Sequence, residues 1–477
     1  MTRQARSGTG AGIGLLQGVA MYTGAVLGTG VLALPALAAR QAGPASLLAW
    51  AALVLLSVPV AATFAALAGR YPDAGGVATF AARAFGPRLA AVTGWWFYFL
   101  VPVGVPVLGL FGGAYVAAAA GGGHATALAV GATLVAVAVA ANWVGLRLSG
   151  RLQLVLAALL AALLVVAVAA SAPHARIANL SPFAPHGWLA VGGAATLLVW
   201  SFAGWETVTH LAAEFADPAG DLRRATALAL VLIGTLYLGL AAASVLVLGP
   251  RLEHLDAPLA VLLARGRGTT AAATIAAVVA VVVTLGTINA YLASAARLGA
   301  ALGRDGALPA WLASGGRAGE VPRRSLATVA ALTGTVFAGL LATGADTHVL
   351  VLATTSCMAA VYAVGCAAGV RLLPRGSLGR RVAVAATVLV ACLLLLAGRF
   401  LAWPLVLAAG ALASRARVAG TRMGRGAPAA RSHVTAPDAP RPNADQPIPA
   451  ASTPLDRTPL QAAIPSRAKP GSTTLRP

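Results

Sequence analysis

The sequence predicts an all-α polytopic membrane protein, on three observations. Of its 477 residues 59% are hydrophobic and only 10% charged, with a mean hydropathy of +0.83. One apolar run of about 20 residues follows another, each long enough to cross a bilayer core of roughly 30 Å. The apolar residues are mostly Ala, Leu, Val and Gly, and such small side chains let transmembrane helices approach closely where lipid supplies no hydrophobic drive between them.

About twelve spans are expected, near 13–39, 45–69, 89–119, 125–144, 152–171, 188–212, 225–249, 270–298, 326–344, 347–370, 381–397 and 399–413. Span one follows Arg3 and Arg6 and ends near Ala36, Leu37 and Ala38 like a secretory leader, but it is too long and span two follows at once, so no cleavage is expected. Span three contains Pro102 and Pro106 and can tilt or kink. A long loop is expected between Arg297 and Arg324, and only Gly398 and Arg399 separate the last two spans. From about residue 414 the chain changes character: eleven of the 28 prolines fall there, among Ser, Thr, Asp and Arg. Residues 414–477 are therefore expected to form a disordered tail.

Arginine sets the orientation. With the N-terminus cytoplasmic, Arg40, Arg176, Arg251, Arg265, Arg267 and Arg399 lie outside, and most of the 34 basic residues lie inside. Residues 1–12 and the tail are then both cytoplasmic, as in a multi-pass plasma-membrane protein. The net charge of +21 is spread over loops and tail, which suits anionic lipid and calls for no nucleic-acid partner. Cys357, Cys366 and Cys392 lie inside spans with no metal-ligand spacing, so core packing is expected of them. The spans hold one acid and no His-Glu-x-x-His pattern, which argues against a membrane enzyme; no cofactor or metal is expected.

That one acid is Glu206, in the run from Trp200 through Phe202, Ala203, Gly204 and Trp205. An ionisable residue at mid-membrane costs about 2.5–3.5 kcal/mol on insertion scales and is kept for function or held by a partner. Its alternative role is a protonated structural hydrogen-bond donor. Span six is expected to break at Phe202–Gly204, and span one at Gly24, Gly28 and Gly30, where three glycines in seven residues precede Pro35. Small-residue helix packing is the competing reading of Gly24 and Gly28. The first helix of each five-span block is thus the broken one, and two odd-numbered blocks, residues 13–171 and 188–370, would lie in opposite orientations. Paired interruptions of this kind point to a midplane site in inverted-repeat carriers. His210 stands one turn after Glu206 and can share its proton work, or can simply be a packed membrane histidine.

These residues carry a resemblance. Gly24 to Pro35, the loop from Tyr71 to Ala78, Thr93 to Pro106, and Phe202, Gly204 and Glu206 through His210 to Glu214 resemble the amino acid–polyamine–organocation superfamily. Within it they are most similar to the bacterial exporters of L-methionine and branched-chain amino acids. The resemblance runs through most of residues 11–400. It implies a five-plus-five inverted repeat with discontinuous helices one and six, two added helices at 381–413, and an amino-acid site between spans one, three, six, eight and ten.

On that reading the amides of Gly28, Thr29 and Gly30 bind the substrate carboxylate. Carbonyls near Phe202 and Ala203, where Gly204 and Trp205 continue the break, accept from its ammonium. Phe202, Trp205, Val103, Val105, Met358 and Tyr362 are candidate walls, and Thr287 and Asn289, beside Thr284, are candidate polar lining. Each of these can equally be bundle core, and threonine often bonds only to its own helix. Mid-membrane offers no Asp or Arg to pair a charged substrate side chain, so small apolar amino acids are favoured. Glu206 and His210 would couple transport to protons. Some proton-coupled relatives use a lysine in span five, and this chain has none there. The expected function is a secondary transporter exporting methionine, leucine, isoleucine and valine by proton antiport, with an uptake permease or exchanger as the alternative and a transporter-like sensor as a different class. The loop Glu214–Arg224 can form gate salt bridges or be a solvated turn.

The arginine pattern makes a direct prediction. Single cysteines placed between residues 71 and 88, or after Ser414, in a background lacking the native three, should resist an impermeant thiol reagent applied to intact cells. Ready labelling would reverse the orientation.

Overall fold

The computed structural model describes residues 14–71, 76–145, 150–206, 215, 220–267, 269–315, 320–344 and 346–424. Its α-helices are α1 (Leu15–Val26), α2 (Gly30–Ala42), α3 (Ser46–Arg70), α4 (Gly76–Phe85), α5 (Pro87–Ala120), α6 (His124–Trp143) and α7 (Gly150–Ser171). They continue as α8 (Leu189–Leu198), α9 (Asp221–Leu248), α10 (Pro258–Arg267), α11 (Thr269–Arg304), α12 (Arg323–Thr343), α13 (Thr347–Leu372), α14 (Leu378–Leu396) and α15 (Ala402–Gly424). Among the described residues nine helical segments are long and apolar enough to cross a membrane, and Leu15–Val26 and Leu189–Phe202 are shorter apolar pieces. This is a polytopic all-α membrane protein, and among the described residues the expected spans coincide with helices, span one with the pair α1 and α2, while the part of span six after residue 206 lies outside the described residues.

Three expectations need correction. The segment after span eight is not a long loop from Arg297, because α11 continues to Arg304. The tail does not begin at residue 414: α15 runs to Gly424, on a stretch of Ala, Arg and Met that favours helix. There the Ser414 hydroxyl donates to the Ala307 carbonyl, and Arg415 donates to that of Pro87. Cys392 is exposed on α14, whereas Cys357 and Cys366 are buried as expected. The expected disorder of residues 425–477 lies outside the described residues.

The helices pack as tightly as the small-residue composition implies. An added Cβ at Gly109 on α5 would lie 2.8 Å from the Gly131 carbonyl on α6, so backbone meets backbone there. Helix α5, continuous through Pro102 and Pro106, packs against α6, α11 and α13 and forms the spine of the bundle.

The predicted break in span one is present, and the helix of span six ends where its break is expected. Helix α1 stops at Val26 and α2 restarts at Gly30; Leu27 donates to the Thr23 carbonyl and Gly28 to that of Val26, both at 2.8 Å. Helix α8 tightens into a 3-10 turn over Val199–Phe202, after which Ala203 is extended and Gly204 takes φ +127°. The breaks touch. A Cβ on Gly204 would lie 2.7 Å from the Ala25 carbonyl oxygen of α1, so the position requires glycine both for its dihedral and for the approach. From α9 the buried Tyr237 hydroxyl lies 2.8 Å from the Val26 carbonyl and 2.9 Å from that of Ser201, reaching one carbonyl at each break.

This contact predicts opposite outcomes for two glycines. Gly204→Ala should lose about 1–3 kcal/mol of stability to backbone strain alone. Gly28→Ala, whose Cβ would meet nothing within 4 Å, should stay within about 0.5 kcal/mol of wild type. Thermal unfolding of both variants in detergent tests the pair, and equal stability would mean that position 204 does not hold the positive φ that only glycine adopts without strain.

Candidate functional site

The break in span one has an open side. No acceptor is found for the amides of Thr29 and Gly30 among the described residues, while the Gly28 amide already donates to Val26. Of the three amides expected to hold an anion, two are therefore available at the positive end of α2. Gly28 contributes space: nothing lies within 4 Å of its Cβ position, so helix packing does not account for it. The Thr29 hydroxyl is fully buried and has no hydrogen-bond partner among the described residues.

At the second break Glu206 is buried, 6% exposed. Its Oε2 accepts from the Tyr362 hydroxyl of α13 at 2.5 Å and from the Gly204 amide at 3.0 Å. The Tyr362 hydroxyl also lies 3.1 Å from the Phe202 carbonyl, and the Gly204 amide donates to it at 3.1 Å. The acid is thus held by the break it sits in. The expected partner His210 lies outside the described residues, as does most of the loop Glu214–Arg224.

Two small cavities flank this break. Their sizes are alike, so lining chemistry distinguishes them. The smaller is lined by Leu53, Leu56, Ser57 and Val60 of α3, Val390 and Leu393 of α14, and Val199, Phe202, Trp205, Ala359 and Tyr362. The larger lies between Leu100, Val101, Gly104, Val105 and Leu108 of α5, Trp200 and Ala203 at the break, Tyr291 of α11, and Thr354, Thr355 and Met358 of α13. Its walls come from spans three, six, eight and ten, and it carries an unpartnered hydroxyl, that of Thr354.

The expected wall residues are divided accordingly. Val105, Ala203 and Met358 line the larger cavity. Phe202 and Trp205 line the smaller one instead, because Phe202 is drawn into an aromatic wedge with Trp50 and Tyr237 at ring separations of 6.2 and 5.2 Å. Val103 is buried in the core of α5 and lines neither. Gly204 is the junction of the two breaks. The Thr287 hydroxyl donates to the Val283 carbonyl of its own helix at 2.9 Å, and Asn289 accepts from the Asn142 side chain of α6 at 2.7 Å. Both bonds are the structural alternatives open to these residue types.

Trp200, Tyr291 and Thr354 were not singled out from the sequence. Trp200 fills the gap between the breaks and span three: a Cβ at Gly30 would meet its Cδ1 at 2.6 Å, and one at Gly104 its Cη2 at 3.3 Å. The glycines at 30 and 104 are the only signal for it, since each clears a path for an aromatic ring. The larger cavity has apolar walls from α5 and α13, the unpartnered Thr354 hydroxyl, and no charged residue lining it; none of Gly28, Thr29 and Gly30 is among its lining residues. It suits a small molecule with a charged head and an apolar side chain.

Comparisons with known proteins agree with this architecture. A family model described as amino acid permease matches residues 13–413. The chain is 33% identical over 394 residues, 83% of its length and 93% of the relative's, to the uncharacterized amino acid permease YecA of Bacillus subtilis. It is 38% identical over 230 residues to the L-methionine/branched-chain amino acid exporter YjeH of Escherichia coli, covering 48% of this chain and 54% of that one. The branched-chain amino acid permease BcaP of Bacillus subtilis is 26% identical over 237 residues, 46% of this chain and 51% of that one.

Proposed function

The chain belongs to the amino acid permease family, and from that premise we propose that it is a secondary transporter that exports methionine, leucine, isoleucine and valine across the plasma membrane in exchange for protons. The observation that supports the reading is the larger cavity, whose apolar walls carry the unpartnered Thr354 hydroxyl and include Trp200 and Ala203 at the break in span six. The amides of Thr29 and Gly30 would take the substrate carboxylate at the positive end of α2, with Gly28 leaving room for it. The carbonyls at Phe202 and Ala203 would take the ammonium. Val105, Met358 and Trp200 would receive the side chain. A charged side chain would find no counter-charge there and would be disfavoured.

Glu206 would be the proton carrier, with His210 as its second candidate. In a low-dielectric site beside the substrate, an acid that is loaded on one side of the membrane and unloaded on the other ties the two fluxes together. The inverted five-span repeats, at residues 13–171 and 188–370, would provide the rocking halves, with both termini cytoplasmic. Export follows the likeness to YjeH, which spans about half of each chain. Uptake or exchange follows the likeness to BcaP. Counterflow in proteoliposomes with unlabelled amino acids would rank the substrates. Efflux from preloaded cells would separate export from uptake.

Two outcomes test the assignments. Gly28→Val would place a side chain in the open space beside the Thr29 and Gly30 amides, so leucine binding should fall at least about tenfold while the unfolding temperature is kept. Loss of folded protein instead would return Gly28 to a packing role. Glu206→Gln keeps the shape of the acid and removes its titration; it should abolish leucine export driven by a pH gradient, while exchange at equal pH and saturating leucine persists. Gradient-driven export at the wild-type rate would reduce Glu206 to a structural residue.

A further inference from the structure

Threonines inside these helices mostly spend their hydroxyls on the carbonyl one turn back: Thr63 donates to Pro59, Thr93 to Leu89, Thr196 to Gly192 and Thr333 to Val329, at 2.7, 2.8, 3.0 and 2.8 Å. Thr355, on the wall of the larger cavity, likewise donates within α13, to the Leu352 carbonyl at 3.1 Å. Its neighbour Thr354 does not. Thr354 is 6% exposed, and its hydroxyl has no hydrogen-bond partner among the described residues. Thr284 also lacks one, but it abuts Gly112 of α5 and lines neither cavity. Thr354 turns to the larger cavity instead: a Cβ at Gly104 would lie 3.4 Å from its Cγ2, 3.6 Å from its Oγ1 and 3.3 Å from Trp200 Cη2, and all three residues line that cavity.

A buried hydroxyl on an otherwise apolar wall selects by what can bond to it. The facing wall, Leu100, Val101, Val105 and Leu108 of α5, is apolar, and Tyr291 on α11 lies within electrostatic reach of Glu206 at the break. A side chain that donates as well as accepts, such as that of serine, asparagine or glutamine, would also need an acceptor, which the apolar wall does not supply. Among uncharged amino-acid side chains the thioether of methionine is the one that accepts and does not donate. A site that hydrogen-bonds its substrate rejects the analogue that lacks the bonding atom. We propose that Thr354 is a specificity-determining residue whose hydroxyl donates to the thioether sulfur, so that methionine is preferred over wholly apolar side chains of the same length. The inference rests on the amino-acid reading above and ranks the substrates within it: leucine, isoleucine and valine fill the cavity but leave the hydroxyl unbonded.

The test replaces one atom of the ligand and one of the protein. Methionine and norleucine, which has a methylene in place of the sulfur, compete against labelled leucine for the full chain in detergent. Wild type should bind methionine about three- to tenfold more tightly than norleucine, the worth of one modest hydrogen bond. Thr354→Val keeps the branched shape and removes the hydroxyl; it should bring the ratio to one or below, with norleucine affinity held within about twofold and the unfolding temperature unchanged or raised, since a buried hydroxyl without a partner is lost. A merely structural threonine would weaken both ligands alike. Equal binding of the two by wild type would overturn the inference, as would a methionine preference that survives in Thr354→Val. Should that variant not fold, Thr354→Ala decides by the same ratio, because any space it leaves is felt by both ligands. Failure of wild type to bind any apolar amino acid would defeat the functional reading itself, and this inference with it.

Discussion

The structure depends on the contact between its two broken helices. In hydrocarbon an unsatisfied amide or carbonyl costs several kcal/mol, so a break survives only where other groups satisfy it or where it lines a cavity. Here each break partly satisfies the other. Gly204 lies against the Ala25 carbonyl, the Tyr237 hydroxyl reaches a carbonyl from each break, and Trp50, Phe202 and Tyr237 wedge the junction from behind. The placement of Trp200 over Gly30 and of Glu206 beside Tyr362 follows from that junction.

What the junction leaves unsatisfied is as informative as what it satisfies. The Thr29, Ser201 and Thr354 hydroxyls are buried without partners, two at the breaks and one on the wall of the larger cavity. In a core selected only for stability such groups would cost about 1–3 kcal/mol each. Of the three, the Thr354 hydroxyl lies on the wall of the larger cavity, where it sets a polar group among apolar side chains.

Much of this was legible in the sequence because its signals are local. Span lengths, the glycine-rich interruption before Pro35 and the lone acid in span six each depend on a few adjacent residues, and the helices and breaks fall where those residues put them. What was not legible depends on pairing across the chain. Nothing near Tyr362 announces that its hydroxyl meets Glu206, 156 positions away, and Asn289 reads as cavity lining until Asn142, 147 positions away, proves to hold it. Phe202 and Trp205 share the motif with Ala203, yet the 3-10 turn and extended Ala203 send them to the opposite side of the break. A motif fixes which residues are neighbours in the chain; the turn decides which of them face the same cavity.

The same pairings fix one wall of the larger cavity. On α11 the Asn142–Asn289 bond ties the helix to α6, and the Thr287 hydroxyl is engaged by its own backbone. Close packing against α5 adds to this anchorage, so α11 presents Tyr291 from a fixed scaffold. At the break the ties come from side chains of other helices: Glu206 Oε2 lies 2.5 Å from the Tyr362 hydroxyl of α13, and the Ser201 carbonyl accepts from the Tyr237 hydroxyl of α9. Irregular backbone at membrane depth is tolerated only where such groups meet its freed donors and acceptors or where it lines a cavity, and here α13 and α9 supply those groups while α5, α6 and α11 frame the cavity beside them.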